Sequence, residues 1–207
     1  EAAEFSGAPG AGVSAEDRAK VERWKPYLLS VGAAKERKGY RYSLAAFREL
    51  AKRFPNLNYV IVGTGRSAYR DLINELGLLA KVIFIKNVSR PMLRALYRNA
   101  ELFWLLPYDD HKDVEGFGLV FLEAAAAGIP VVGTEESGAE DAVDHGRNGY
   151  LVAPRDSSAA ARAAGDILAS PERRAAYSQG SLELAGRMSW SRVAERYGRI
   201  YRELLRP

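Results

Sequence analysis

The sequence predicts an α/β fold: a Rossmann-like parallel sheet with helices on both faces, extended by C-terminal helices. Three observations predict it. From Tyr27 onward short apolar runs alternate with segments of helical periodicity, the pattern of a parallel sheet covered on both sides. A glycine turn, Gly63 to Gly65, ends one apolar run and leads into a helix. Beyond Pro154 the strand candidates stop and the remaining chain reads as helix.

Residues 1–23 are rich in Ala, Gly and charge with one aromatic, and are read as a linker, an expression scar or the remnant of a preceding domain. The glycines of Gly7–Gly12 lack a following Lys-Ser or Lys-Thr, which argues against a phosphate-binding P-loop. The main domain is expected over 24–188 and a last helix over 189–207. Strands are expected at Tyr27–Val31, Tyr59–Val62, Val82–Ile85, Leu102–Leu105, Val131–Val132 and Tyr150–Val152. In Tyr42–Phe54 the residues Leu44, Phe47, Leu50, Ala51 and Phe54 recur at three and four, one buried helical face. Ser89 suits the cap of a helix over Met92–Asn99, with Pro91 in its first turn. A further helix over Leu119–Ala127 stops at Gly128 and Pro130. The last helix, Ser191–Leu205, carries Val193, Tyr197, Ile200, Tyr201 and Leu204 as an apolar stripe.

Composition narrows the class. At 47% hydrophobic and 27% charged residues, the 207-residue chain is globular, and a domain of this size buries roughly 70% of its unfolded surface. With no cysteine, disulfides, thiolate metal sites and cysteine nucleophiles are excluded. A net charge of +4 favours phosphate-bearing ligands or an anionic membrane surface, yet falls far short of a nucleic-acid footprint. No apolar run reaches the length of a membrane span, and no signal-peptide pattern opens the chain.

Four segments carry candidate chemistry. Val60 to Ala68 (VIVGTGRSA) has the Gly63-x-Gly65-x-x-Ala68 spacing of a dinucleotide turn. An NAD site also needs an acid at the end of the next strand, and that strand ends in Lys86 and Asn87. A tight turn lining a ligand crevice is the better reading. Asp109, Asp110, His111, Asp113 and Glu115 have metal-ligand chemistry, but they alternate with Lys112 in a loop without a ligand-bearing helix, so a solvated rim is expected and no metal.

The third segment, Glu115 to Thr134 (EGFGLVFLEAAAAGIPVVGT), places Glu115 and Glu123 eight residues apart across a helix start, roughly 12 Å along the axis if all of it is helical. Gly116, Phe117 and Gly118 would expose backbone N–H groups to an anion such as a diphosphate. A carboxylate accepts two hydroxyls at once, which suits the vicinal diol of a ribose. Glu123 is flanked by Leu119–Leu122 and Ala124–Ala127, and a charge in that setting needs a partner. In the fourth segment, Ser30 to Tyr40, Gly32 ends a strand and Lys35, Arg37 and Lys38 follow at the carboxyl edge of the sheet. Taken alone, that run also reads as a solvated charge patch.

Together these residues resemble the C-terminal, donor-binding domain of GT-B retaining glycosyltransferases, family 4 (group 1), over about Tyr27 to Leu205. The resemblance rests on the Gly32…Lys38–Gly39 loop, the VIVGTG turn, NVSRPMLRALYRNAELFWLLP (Asn87–Pro107), the Glu-x7-Glu pair, and the tail with Trp190 and its helix. It implies one half of a GT-B fold and no cofactor, with a UDP-, GDP- or ADP-sugar as substrate. Lys38 would neutralise the diphosphate, and Glu115 would contact the donor sugar. Glu123 would hold the ribose, and the main chain at Asn87–Val88 the base. Gly32, Arg37, Gly63, Gly65 and Gly116–Leu119 would line the donor site. The acceptor, a glycan, lipid or small molecule, would sit on an N-terminal domain for which this chain has no room. The resemblance also implies a cytoplasmic enzyme, with peripheral attachment to the inner membrane surface left open. One position departs from the family: Ala33 stands where an arginine commonly follows the first glycine, leaving Arg37 or Lys35 to compensate. Two other classes remain on the residues alone, a non-catalytic nucleotide-binding module and an NAD(P)-linked enzyme.

Overall fold

The first apolar run forms strand β1 (Tyr27–Val31), in which Leu28 and Leu29 are both fully buried. Consecutive burial means that the strand is covered on both faces. The computed structural model describes residues 12–109 and 116–205. In it β1 is joined by β2 (Asn58–Val62), β3 (Val82–Ile85), β4 (Leu102–Trp104), β5 (Val131–Thr134) and β6 (Gly149–Val152). All pairings are parallel, in the order β3-β2-β1-β4-β5-β6. The α/β Rossmann-like expectation is therefore met.

Parallel neighbours require crossovers; the connection from β5 to β6 contains no helix, and the other four are drawn from the eight α-helices of the described residues. These are α1 (Ala15–Trp24), α2 (Tyr40–Arg53), α3 (Arg70–Glu75), α4 (Arg90–Asn99), α5 (Leu119–Ala126), α6 (Ser157–Ala169), α7 (Pro171–Arg187) and α8 (Trp190–Leu204). Helix α2 packs on α6, while α1, α4 and α5 lie in succession and α7 closes against α5. Ser89 caps α4 as expected: its Oγ accepts from the Met92 N–H at 3.3 Å.

Helix α1 shows that residues 15–24, most of them within the stretch read as a linker, an expression scar or a domain remnant, are helical. Ser14 Oγ accepts from the Asp17 N–H at 3.0 Å, Lys20 pairs with Glu16 across one turn at 2.6 Å, and Val21 is buried. A charged, Ala-rich stretch with one core contact has too little apolar periodicity to stand out, yet its residues favour helix. Residues 1–11, which hold most of the Gly7–Gly12 stretch, lie outside the described residues. At the other end, α8 buries none of its residues, and Trp190, Tyr197 and Tyr201 are each about 60% exposed. Among the described residues, no helix is long and apolar enough to cross a membrane.

The strand order sets the place of a site. The chain steps outward from β1 to β3, then returns past β1 to β4 and continues to β6. The loops after β1 and β4 therefore part in opposite directions. Open α/β sheets bind ligands outside the carboxyl ends of the strands at such a point.

Candidate functional site

At the carboxyl edge, β1 and β2 are brought together by glycine. A Cβ on Gly63 would lie 2.0 Å from the Gly32 carbonyl oxygen, so the two turns touch backbone to backbone. The Gly32 N–H donates to Val62 O at 2.8 Å, and the Ala34 N–H to Thr64 O at 2.7 Å. Gly65 has φ +98° and abuts Ala34. The glycine turn thus serves close approach of two loops.

The basic loop then folds back over β1. Glu36–Lys38 form one 3₁₀ turn that ends at Gly39 in the left-handed region (φ +68°). There a side chain would strike the Leu106 carbonyl, since a Cβ would stand 1.8 Å from it. The turn carries Lys38 back onto Gly32: a Cβ at Gly32 would be 3.5 Å from Lys38 Cε and 3.8 Å from its Nζ. The ammonium of Lys38 therefore lies over the end of the central strand. Arg37 is half-buried and Lys35 exposed in the same loop, while Ala33 sits on the Gly63 side of it.

A group of residues that sequence reasoning missed anchors this loop. The Tyr108 N–H donates to Arg37 O at 3.0 Å, and its hydroxyl to Glu36 Oε1 at 3.1 Å. Tyr69 donates to the other carboxylate oxygen at 3.4 Å, and Arg41 approaches Glu36 at 3.6 Å. The Arg155 guanidinium lies over the Tyr108 ring, 4.6 Å from its centroid. Burial, with Glu36 second, pushes the Tyr108 hydroxyl up to about 12, so it stays a donor at neutral pH. Tyr40 completes the brace by donating to Gly32 O at 2.9 Å.

Across the switch point, α5 opens from Gly118, a left-handed residue (φ +67°) without a side-chain cap. The first helical N–H groups of such an end have no intrahelical acceptor and face outward. Gly116 and Phe117 precede it, exposed. Helix begins only at Leu119, and Glu123 sits just over one turn into α5. Glu115 itself lies outside the described residues, as do Asp110, His111 and Asp113 of the acidic loop. Among the described residues no group of three or more His, Asp or Glu is placed to hold a metal.

Glu123 is half-buried, and one partner for its charge is Tyr97 of α4, whose hydroxyl donates to Oε2 at 2.7 Å. Burial first, then the Glu123 charge, holds the Tyr97 phenol well above its usual range. Glu123 also lines a mainly apolar pocket of about 420 Å³ whose walls include Phe117, Leu119, Met188 and Trp190. Asn87, exposed and left-handed (φ +57°), and half-buried Val88 follow β3 at the same edge. After β3 the chain continues with Lys86 and Asn87, so no acid stands where a dinucleotide ribose would need one.

Comparison with known proteins bears on this arrangement. The family model of the glycosyl transferases group 1 matches residues 14–183. The chain belongs to that family. A GDP-mannose-dependent α-(1-6)-phosphatidylinositol monomannoside mannosyltransferase of Mycolicibacterium smegmatis is 34% identical over 157 residues, 73% of this chain and 41% of that protein. The sucrose-phosphate synthase structure from Thermosynechococcus elongatus superposes with a TM-score of 0.76 at 28% identity, over 92% of this chain and 49% of that one. The C-terminal domain of a group 1 family glycosyl transferase from Francisella tularensis shares the fold, with a TM-score of 0.74 at 21% identity over 91% of this chain and 97% of that one. The chain spans less than half the length of the curated relatives it matches. In group 1 terms, the edge that carries Gly32, Lys38 and Gly63 and the helix that carries Glu123 form the candidate site of a glycosyltransferase domain.

Proposed function

We propose that this chain is the donor-binding half of a family 4 GT-B glycosyltransferase that transfers a hexosyl group from a nucleoside-diphosphate sugar with retention. The observation that carries the reading is Lys38, whose ammonium lies over Gly32 at the switch point of the sheet. A fixed cation at a carboxyl edge built from glycine turns suits a diphosphate. The GDP-mannose dependence of the mycolicibacterial relative supports that donor class.

In this reading Lys38 and the N-terminus of α5 meet the diphosphate, with Arg37 in place of the arginine that Ala33 lacks. Glu123 accepts the ribose hydroxyls, Glu115 the donor sugar, and the main chain at Asn87–Val88 the base. As the bond between the anomeric carbon and the phosphate oxygen breaks, negative charge grows on the leaving diphosphate, where the fixed positive groups stabilise it. The acceptor oxygen bonds to the anomeric carbon on the same face, and its proton passes to the leaving phosphate oxygen. These groups supply the charge that a divalent ion supplies elsewhere, so the reading includes no metal and no cofactor. The acceptor would be held by an N-terminal domain of the whole protein, working in the cytoplasm.

Two substitutions test the reading. Glu123→Ala removes two charge-assisted hydrogen bonds of roughly 1.5–3 kcal/mol each, so calorimetry should show nucleoside diphosphate affinity lower by tenfold or more. Lys38→Ala should weaken diphosphates far more than nucleosides. Unchanged affinity in both variants would remove these residues from the site.

A further inference from the structure

Tyr97 projects from α4 with none of its surface exposed, and its hydroxyl meets Glu123 Oε2 at 2.7 Å. The nearby Val120 carbonyl is 3.5 Å away, too far to compete on equal terms. The ring is fixed from behind by Phe103 of β4, with centroids 5.7 Å apart. A phenylalanine would fill the same space, so packing alone does not account for the hydroxyl. What the hydroxyl adds is a rigid donor, arriving from the core, to a half-buried carboxylate.

We propose that Tyr97 is a positioning residue for sugar-ring recognition: by holding one carboxylate oxygen of Glu123 from the core side, it turns the carboxylate's remaining acceptor sites toward the vicinal hydroxyls of a ribose. The inference rests on the donor-binding reading of Glu123 given above. Glutamate has three side-chain torsions, and an untethered carboxylate would have to be ordered each time a ligand binds. With the tyrosine in place that ordering is done during folding, and each carboxylate oxygen keeps acceptor capacity after Tyr97 takes one position. Tyr97 touches no ligand in this scheme, and its effect passes entirely through Glu123.

The test compares GDP and UDP with their 2′-deoxy counterparts by calorimetry on the 207-residue chain and its Tyr97→Phe, Glu123→Ala and double variants. The unmodified chain should prefer the ribonucleotides. Tyr97→Phe should reduce that preference about tenfold, the scale of one hydrogen bond to a charged group. Glu123→Ala should abolish it, and adding Tyr97→Phe to Glu123→Ala should change it no further. A merely structural tyrosine would lower the thermal midpoint or weaken all four ligands alike, leaving the ratio intact. Full preference in Tyr97→Phe beside lost preference in Glu123→Ala overturns the inference and spares the reading of Glu123. Preference retained in Glu123→Ala overturns the ribose reading and with it this role for Tyr97, as does failure of the unmodified chain to bind any of the four nucleotides.

Discussion

Individual residues carry two consequences that can be measured. Gly63 has no room for a methyl group, because the Gly32 carbonyl stands 2.0 Å from where it would be. Gly63→Ala must push the β1 and β2 turns apart, which should cost about 2 kcal/mol or more in a urea titration. Gly116 has open space at its Cβ position, so Gly116→Ala should stay within about 0.5 kcal/mol of the unmodified chain. The second consequence is alkaline. Tyr59 is fully buried, donates to Ser43 Oγ at 3.0 Å, and is pushed up to about 12 by burial. Unfolded, the same phenol ionises near 10. Its contribution to stability is complete below about pH 10 and is lost as pH rises toward 12, since only the unfolded state releases the proton in that window. Urea midpoints at pH 8 and pH 11 should show the decline. Of these residues, Gly63 was legible in the sequence because a Gly-x-Gly after an apolar run has few structural uses. Tyr97 was not: beside Leu93 and Leu96 it reads as one more member of an apolar helix face, and only the fold brings Glu123 to its hydroxyl.

At the scale of elements, strong apolar runs and caps made the fold readable. β1 and β3 have the expected bounds, and α4 starts at the cap that Ser89 signals. Ser89→Ala should cost about 1 kcal/mol, measurable in the same urea titration. Differences gather at ends. Helix α2 begins at Tyr40, two residues before its apolar period becomes visible, because left-handed Gly39 turns the chain directly into it. Strand β5 runs on through Gly133 and Thr134, where pairing with Leu151 and Val152 overrides a weak local preference. The brace of Glu36, Tyr69, Tyr108 and Arg155 was invisible for another reason. Its members come from four separate segments of the chain, and no spacing records that the parallel topology gathers them at one edge.

For the whole molecule, the chain spans less than half the length of its curated relatives, and α8 leaves its aromatic side chains in solvent. We propose that the acceptor wall lies on the rest of the protein and that α8 reaches toward it. Holding both reactants together can contribute on the order of 7–11 kcal/mol, so a donor half alone forfeits most of the rate. An open crevice also leaves an activated donor exposed to water. Residues 1–207 should therefore show at most trace donor hydrolysis and no transfer to added acceptors, as followed by product chromatography. The central claim, that this edge of the sheet is a metal-independent site for a nucleoside diphosphate, is tested most directly by calorimetric titration of GDP, UDP and ADP into the chain with and without a chelator. Binding of at least one of them, with the same affinity in both conditions, is the predicted result. No binding by any of the three, or binding that collapses on chelation, would contradict it.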